Sequence, residues 1–528
     1  MPTHKYILRG GILFTGLIFG LNLFAGPARI QNDAKPVRPI TLMECFAAAL
    51  ANNLDLTIES LNPALGEAAI SESRERYIPE FSLSYIKQDL NQPGTWGVEG
   101  TSVASRADQY SVAVTQKVVT GGRVSVSFVN SETNTSRAFT LINPSYFSNF
   151  RLDINQPLLK GFGPNVNRVD TLKAVIERDQ SMSGLKARLL QTLYEVEEAY
   201  WNLTSALENV KVQESSLEQS RAILAKNREG VRIGTKSALE VLNSEAEVAQ
   251  YEDSLVSART AVEQTEARLK KILNLPSDSP FAGQNLTPAD KPAIEKRAVN
   301  AEEALAAALR DRPEMAQVEK DLEANALDVK VIRNGLLPQL DLAFSTWSPG
   351  QSGVKSIYDN DNPFTGTVIG KIEGSRGDAF KEALKRTYKN WSLNLNLTLP
   401  FASVFSRASL AKSRMREEQI RLRLELQKQA IVYEVADAVK ELQSAEQKLR
   451  TSAASRELQE KRMEAELQRY QLGLGAIEWL LSYQRQLTNA KTAEIRAVID
   501  YKLAVARLDK ATGATLKAKG LKFKDYEF

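Results

Sequence analysis

A seven-residue repeat of apolar side chains constrains this chain more than any other feature. Six apolar residues follow one another at this spacing: Val196, Leu203, Val210, Leu217, Leu224 and Val231. No proline occurs between Pro164 and Pro276. A heptad pattern of this length predicts a coiled-coil helix. From 165 to 230 a helix rising ~1.5 Å per residue would be roughly 100 Å long, which indicates a rod or the wall of a tube rather than a compact domain.

Matched positions show that this pattern occurs twice. The pairs are "FAAAL" (46–50) with "LAAAL" (305–309), Pro79 with Pro338, "VEEAYWNL" (196–203) with "VADAVKEL" (435–442), and Gly234 with Gly473. The first two pairs share one offset of 259 residues, and the last two share another of 239. Constant offsets over tens of residues predict a tandem duplication.

Each half is predicted to contain helices, then strands, then a long helical hairpin. The first repeat covers 41–273, with helices at 41–78, strands at 80–157 and a hairpin at 165–273. A linker covers 274–299. The second repeat covers 300–512, with helices at 300–336, strands at 339–400 and a hairpin at 404–512, and a tail covers 513–528.

The turns of the two hairpins carry recognisable capping residues. In "RIGTKS", Gly234 stands where a C-cap glycine is expected and Ser237 where an N-cap is expected. The second turn, "QLGLGA", has Gly473 at the equivalent place. These residues predict the tips of two antiparallel helical hairpins.

The N-terminus indicates export. Lys5 and Arg9 precede an uncharged apolar run, 10–26, that ends in small residues. This pattern predicts a signal peptide at 1–28, cleaved between Ala25 and Ala28. Beyond it no stretch reaches the ~18 apolar residues of a membrane helix. The formal charge of +4 on 528 residues argues against a nucleic-acid partner.

Alternating side chains predict β-strands. "WSLNLNLTLPF" (391–401) places Trp391 and every second residue after it on one apolar face. Such a strand fits either a soluble sheet or an outer-membrane barrel with a wet lumen, and export without a membrane helix favours the barrel. The first half offers candidate strands at 81–88, 108–118, 123–130 and 149–156, joined in part by a "TGG" turn (120–122) that we expect to face the helices. The segment 348–388 is predicted to be a solvated outer loop.

Residues for catalysis are scarce. The only histidine is His4, inside the predicted signal peptide, and the only cysteine is Cys45. The mature chain therefore offers no imidazole for acid–base work and no soft-metal cluster. We predict neither an enzyme nor a cofactor or metal site.

With this organisation in view, the chain resembles the TolC-like outer-membrane efflux proteins, the outer-membrane channel component of efflux pumps and type I secretion systems. The resemblance covers nearly the whole mature sequence. It rests on the strand entries "YIPEFSL" and "LLPQLDL", the strand exits "QPLLKGFGPNVNR" and "LPFASVFSR", and a tip pattern Gly-x-x-Ser-x-x-acid-Val-Leu that begins at Gly234. The second copy of the tip pattern, beginning at Gly473, is degenerate.

This resemblance implies a fold and partners. The fold is mainly α with transmembrane β: the strands of a homotrimer form one shared barrel among outer-membrane lipid, and the long helices continue it as a tube across the periplasm. The tips would meet a periplasmic adaptor driven by an inner-membrane transporter. The chain would then be an exit duct located in the outer membrane.

Candidate site residues follow from position alone. The tip residues, expected to gate the tube or contact the adaptor, are Arg228, Glu229, Arg232, Gly234, Ser237, Arg469, Gln471 and Gly473. The helix–strand junctions are Pro79, Pro157, Pro338 and Pro400.

Some alternatives stay open at the level of sequence. Family members usually contribute two strands per half, so the four candidates of the first half leave four or six strands per subunit, or an extramembrane TGG hairpin. A periplasmic adaptor also carries helical hairpins, but usually one per chain. A structural coiled-coil rod would leave the strands unexplained.

Overall fold

The computed structural model describes residues 37–521 and 523, apart from 96, 276–282, 295, 360–361, 365 and 400–402. The predicted signal peptide (1–28) and the junction residue Pro400 lie outside the described residues.

Long helices dominate the described chain. They are α1 Leu42–Asn52, α2 Leu54–Glu75, α3 Pro164–Asn167, α4 Val169–Arg232, α5 Ala238–Leu273, α6 Ala301–Asp311, α7 Pro313–Gly335, α8 Arg376–Leu384, α9 Ser403–Gln471, α10 Ile477–Ala511 and α11 Thr515–Ala518. Side chains cap several helix starts, among them Thr41, which forms a capping box with Glu44, and Asn53. None of the described helices is long and apolar enough to cross a membrane.

The strands form two sheets. They are β1 Val37–Ile40, β2 Glu80–Pro93, β3 Ser102–Lys117, β4 Arg123–Thr135, β5 Ile142–Pro157, β6 Asn285–Pro288, β7 Gln339–Tyr358, β8 Val368–Ile372 and β9 Asn390–Thr398. β1 and β6 make a small parallel pair. β6 lies inside the segment 274–299 that was predicted to be a linker. The large sheet has the order β2-β3-β4-β5-β7-β8, with β9 also beside β7, and all its pairs are antiparallel.

The register of the large sheet separates a mainly apolar face from a polar face. One cross-strand row holds Phe81, Val114, Val126, Leu152, Thr346 and Trp391. The next row, on the opposite face, holds Glu80, Thr115, Ser125, Asp153, Ser345 and Ser392. Successive residues of a strand point to opposite faces, so one face is mainly apolar from β2 to β9, with Thr346 of β7 as the polar member of this row.

The sheet is larger than the sequence pattern predicts. The four strands of the first half are all present and are longer than predicted, because their outer portions lose the alternation that marks a strand; β4 ends in SETNT and β5 begins with INPSYFS. The prediction of a solvated loop at 348–388 is wrong. β7 continues to Tyr358, β8 pairs back onto it, and α8 packs against the sheet. The large sheet thus has six long strands and the short β8.

Hydrogen bonds tie the junctions of the two halves together. Pro79 directly precedes β2, Pro157 ends β5 and Pro338 directly precedes β7. The backbone N–H of Lys160 donates to the carbonyl of Pro338 at 3.2 Å. The TGG turn faces the helices, as expected, since the Gly163 N–H donates to the Thr120 carbonyl at 3.0 Å. The segments by which the chain enters and leaves the sheet are therefore hydrogen-bonded to one another.

Two apolar cores lie midway along the helical part, and a third, around Met463, Ile477 and Leu480, lies near the tips. One packs α1 against α4 and α5 around the fully buried Leu193, Val196 and Leu203. The other packs α6 against α9 and α10 around Ile431 and Val435. Both cores occupy the seams where the heptad pattern places apolar side chains.

Candidate functional site

The turn from α4 to α5 is held by its glycine. Gly234 has φ +77°, a conformation that residues with a Cβ rarely adopt. Its N–H donates to the Val231 carbonyl at 3.1 Å, and the Thr235 N–H donates to the Gly230 carbonyl at 2.8 Å. This pair of bonds is a Schellman motif. Ser237 then caps α5 by accepting a hydrogen bond from the Leu239 N–H at 3.1 Å.

The turn from α9 to α10 repeats the first with one part missing. Gly473 has φ +74°, and its N–H donates to the Tyr470 carbonyl at 3.1 Å. The Leu474 N–H donates to the Arg469 carbonyl at 2.9 Å, which completes the same motif. Ala476 stands where Ser237 stands in the first copy and supplies no side-chain cap. The second copy therefore has the same turn but no side-chain cap.

The charged candidates of the first tip pair within their own hairpin. Arg228 donates to Glu245 of α5 at 2.7 Å. Arg232 pairs with Glu229 on the same helix, and this hydrogen bond lowers the pKa of Glu229. All of these side chains are exposed, so the pairs add little to stability and leave a charged outer surface.

The candidates of the second tip lie close to the contact between hairpins. Arg469 donates to the buried Glu466 at 3.1 Å. Gln471 lines a groove of ≈ 570 Å³ between α4 and α9, which also contains Ile223, Met463 and Leu467. The eight tip candidates thus lie at the ends of both hairpins, divided between the turns, the outer surface and this groove.

A polar network that the sequence interpretation missed joins the two tips. The Tyr470 hydroxyl lies 2.7 Å from Glu240 Oε2 and 2.7 Å from Asn227 Oδ1. Asn227 is fully buried; its amide donates to Ser244 Oγ at 2.8 Å and its carbonyl oxygen accepts from Lys236 Nζ at 2.9 Å. Tyr470 belongs to the second hairpin and the other four residues to the first. We call these five residues the tip network.

The charges of the tip network are balanced inside it. Lys236 Nζ lies 3.5 Å from the centre of the Tyr470 ring and 3.5 Å from Glu240 Oε2. Burial lowers the pKa of Lys236, and Glu240 opposes that shift. Burial, followed by the hydrogen bond to Glu240, raises the pKa of Tyr470 above its ordinary value. At neutral pH the tyrosine is therefore protonated and donates a hydrogen bond to the carboxylate.

A second polar cluster links the hairpins further from the tips. Gln484 of α10 donates to Ser220 Oγ of α4 at 2.8 Å, and Ser216 shares a hydrogen bond with Thr488 at 2.8 Å. All four side chains are buried. A signal for this seam exists in the sequence, because Ser220 and Asn227 are seven residues apart on a row parallel to the apolar one.

Comparison with known proteins agrees with this architecture. The family model "Outer membrane efflux protein" matches residues 46–275 and 304–514, well over half of the chain. No curated protein sequence matches the chain.

Among the described residues no three His, Cys, Asp or Glu side chains form a group that could hold a metal ion.

Solved outer-membrane channels share the fold. The CmeC channel of Campylobacter jejuni aligns with a TM-score of 0.65 at 16% identity, over 97% of this chain and 98% of that one. The outer-membrane channel OprN gives 0.64 at 17% identity, over 90% of each chain. The MtrE channel of Neisseria gonorrhoeae, solved in an open state, gives 0.60 at 19% identity, over 90% of this chain and 89% of that one.

These matches argue against the two alternatives left open by the sequence, a periplasmic adaptor and a structural coiled-coil rod. They place the chain among channels rather than enzymes and in the outer membrane, with its helices extending into the periplasm. The chain belongs to the outer membrane efflux protein family and is an efflux channel of the outer membrane.

Proposed function

We propose that three copies of this chain close into one duct, whose hairpin tips form a gated aperture and dock a periplasmic adaptor that an inner-membrane transporter drives. The observation that carries the proposal is that the strand layer and the helix layer of one subunit both end in open edges, on the same two sides. Head-to-tail contacts between such edges generate a closed ring when the rotation from one copy to the next closes.

The open edges of the sheet are β2 on one side and, on the other, β9 with the short β8 beyond it. All residues of β2 are exposed, and so are most residues of β9. An unpaired edge strand is a template for pairing with another chain. β2 leads away from the helices and β9 returns towards them, so β9 of one copy would run antiparallel to β2 of the next. Pairing them extends the sheet into a barrel without a break in its alternation.

The open edges of the helix layer are α2 and α9. Each carries a row of exposed apolar side chains at helical spacing: Leu54, Ile58, Leu61 and Leu65 on α2, and Met415, Leu422, Leu426 and Tyr433 on α9. α2 leads into β2, and α9 follows β9. The two apolar rows would therefore meet at the same subunit boundary as the two strands.

The tips supply the aperture and the docking surface. In this proposal the tip network holds the two hairpins of a subunit together and keeps the aperture narrow. The exposed Arg228, Glu229 and Arg232 contact the adaptor together with Arg469. The groove that contains Gln471 receives an apolar part of the adaptor. Separation of the hairpins on docking would open the duct.

Cross-linking tests the ring. Leu61→Cys combined with Leu422→Cys is expected to give disulfide-linked dimers and trimers on oxidation in native membranes, and each single variant is expected to give none. The natural Cys45 does not interfere because it is fully buried.

The matched control pairs Leu61→Cys with Leu458→Cys, an equally exposed leucine of α9 nearer the tips, and should not cross-link. A detergent-extracted particle with the mass of one chain, or equal cross-linking by both pairs, would refute the arrangement.

A further inference from the structure

Helix α8 lies across the apolar face of the large sheet. Its own residues Ala379 and Ala383 are fully buried against the strands. A Cβ on Gly350 of β7 would lie 2.1 Å from the Ala379 carbonyl oxygen, so only glycine lets the helix approach this closely. Phe380 packs edge-on against Phe128 with ring centres 5.1 Å apart. The helix therefore has a shaped seat on the strands.

Polar contacts fix the two ends of α8. At the start, Arg376 Nε donates to Glu132 of β4 at 3.1 Å, and Ser375 forms a capping box with Asp378. Near the end, Glu382 accepts a hydrogen bond from the Gln351 N–H at 2.8 Å. The acidic side chains of α8, Asp378 and Glu382, thus make hydrogen bonds within the protein. The lysines of the helix remain exposed to the surroundings.

The exposed surface of α8 carries an apolar pair, Phe380 and Leu384, beside a lysine pair, Lys381 and Lys385, each pair spaced by about one helical turn. Tyr388 and Lys389 are also exposed and follow in the non-helical turn after α8, where Arg386 has φ +53°. An apolar row beside a lysine row is typical of a helix that lies in a membrane interface, where the lysine stems cover apolar surface and the ammonium groups reach the headgroups.

The height of α8 on the sheet agrees with an interfacial position. The helix crosses β7 at Gly350, eleven residues beyond its first residue, Gln339. Strands rising ~3.3 Å per residue and tilted by ~40° reach about 28 Å over that length. The apolar band of an outer-membrane barrel is ~25 Å tall. The helix therefore lies just beyond the outer end of the apolar band.

We propose that α8 is an interfacial anchor that binds the anionic phosphate headgroups of the outer leaflet through Lys381, Lys385 and Lys389, while Phe380, Leu384 and Tyr388 enter the lipid. The proposal rests on the barrel of the proposed function, which turns the apolar face towards lipid. Lipid is the occupant because the apolar row of α8 continues the apolar face of the sheet, and the lysine row complements phosphate.

A lipid titration tests the lysine row. Diphosphoryl lipid A is added to the detergent-solubilised full-length oligomer, and bound lipid is counted by native mass spectrometry. The variant K381Q/K385Q/K389Q is expected to bind lipid A about tenfold or more weakly than the wild type, since each lysine near an anionic surface contributes about fivefold. Inorganic phosphate at equal ionic strength should displace no more lipid than chloride does.

The matched control is K412Q/K440Q/K448Q, three exposed lysines of α9, which removes the same charge far from the sheet. This variant should bind lipid A like the wild type. Equal losses in both triple variants would mean that only net charge matters and would overturn the proposal. Unchanged binding in the α8 variant would overturn it as well.

A second measurement locates the apolar row directly. An environment-sensitive fluorophore on Leu384→Cys should move to shorter wavelength in lipid A-containing vesicles and be quenched by a lipid-soluble quencher. The same label on Val98→Cys, exposed in the turn between β2 and β3, should be quenched by aqueous iodide.

Iodide quenching at both positions in protein that inserts and conducts would refute the anchor and leave the duct intact. Absence of insertion and conductance in the wild type would refute the duct, and the anchor with it.

Discussion

Replacement of Tyr470 by phenylalanine should make the tips of the two hairpins separate more easily. The substitution removes only the hydroxyl that lies 2.7 Å from Glu240 Oε2 and 2.7 Å from Asn227 Oδ1. The ring and its contact with Lys236 remain. A hydrogen bond to a charged group contributes about 1.5–3 kcal/mol net, and the partial exposure of Glu240 favours the lower end of that range.

The effect on the aperture is larger if the three subunits open together. About 1.5 kcal/mol per subunit amounts to roughly 4.5 kcal/mol for the ring, or about a thousandfold change in the ratio of closed to open channels. If the subunits open independently, the ratio changes about tenfold per subunit. Either value moves a closed channel towards a state that a conductance recording detects.

Single-channel recording in planar bilayers measures this change. We expect Tyr470→Phe to spend a much larger fraction of time at high conductance than the wild type. The matched control is Tyr483→Phe, whose hydroxyl accepts a hydrogen bond from Arg462 at 3.1 Å. That bond joins α9 to α10 within one hairpin, so its loss should leave the closed state in place.

A double-mutant cycle with Glu240→Ala assigns the energy to the pair. If Tyr470 acts through Glu240, the double variant should open hardly more than either single variant. Additive effects would show that the two residues act separately. A Tyr470→Phe oligomer that conducts like the wild type would refute the idea that this network holds the aperture closed.

Other substitutions test the turns, the buried thiol and the seat of α8. Gly234→Ala should lower the free energy of unfolding by about 1–2 kcal/mol because of its positive φ, measured by thermal denaturation, whereas Gly335→Ala, within a helix with open space around it, should stabilise by about 0.5–1 kcal/mol. Burial raises the pKa of Cys45 to about 12, so maleimide should label it at pH 9 only after unfolding; because the folded state holds this proton more tightly, the contribution of Cys45 to stability falls as pH rises above ~8.5. Gly350→Leu should lift α8 off the sheet, so that trypsin cleaves after Lys381 and Lys385 faster than in the wild type.

Periodicity in the sequence predicted the long helices and the strands, because their patterns are local in the chain. The heptad row that begins at Val196 indicated α4, and alternation indicated the strands. The tip glycines were recognisable because a left-handed turn accepts few other residues. These features depend on local spacing and backbone conformation, which sequence expresses directly.

Contacts between distant segments were not predictable in this way. Tyr470 and Glu240 are 230 residues apart, and neither carries a local sign of the other. α8 was missed although Ser375 and Asp378 have the spacing of a capping box, because its Gly- and Asn-rich flanks indicated a loop. What decides that this segment is a helix on the sheet is the space above Gly350, which belongs to another strand.

The distribution of apolar and polar contacts determines where the tube can open. Midway along α4, the seams contain fully buried Leu193, Val196 and Leu203, and exposing each of them to water costs about 1.5–3 kcal/mol. Near the tips, the contacts between hairpins run mainly through Ser220, Asn227 and their partners, and Ile223 of the first hairpin joins an apolar cluster of the second. A polar group that leaves such a seam exchanges its hydrogen bond for one to water, at a net cost of only about 0.5–1.5 kcal/mol. Separation of the hairpins is therefore less costly at the tips than at the apolar cores midway along α4, so an opening motion would pivot about those cores and leave the strands undisturbed.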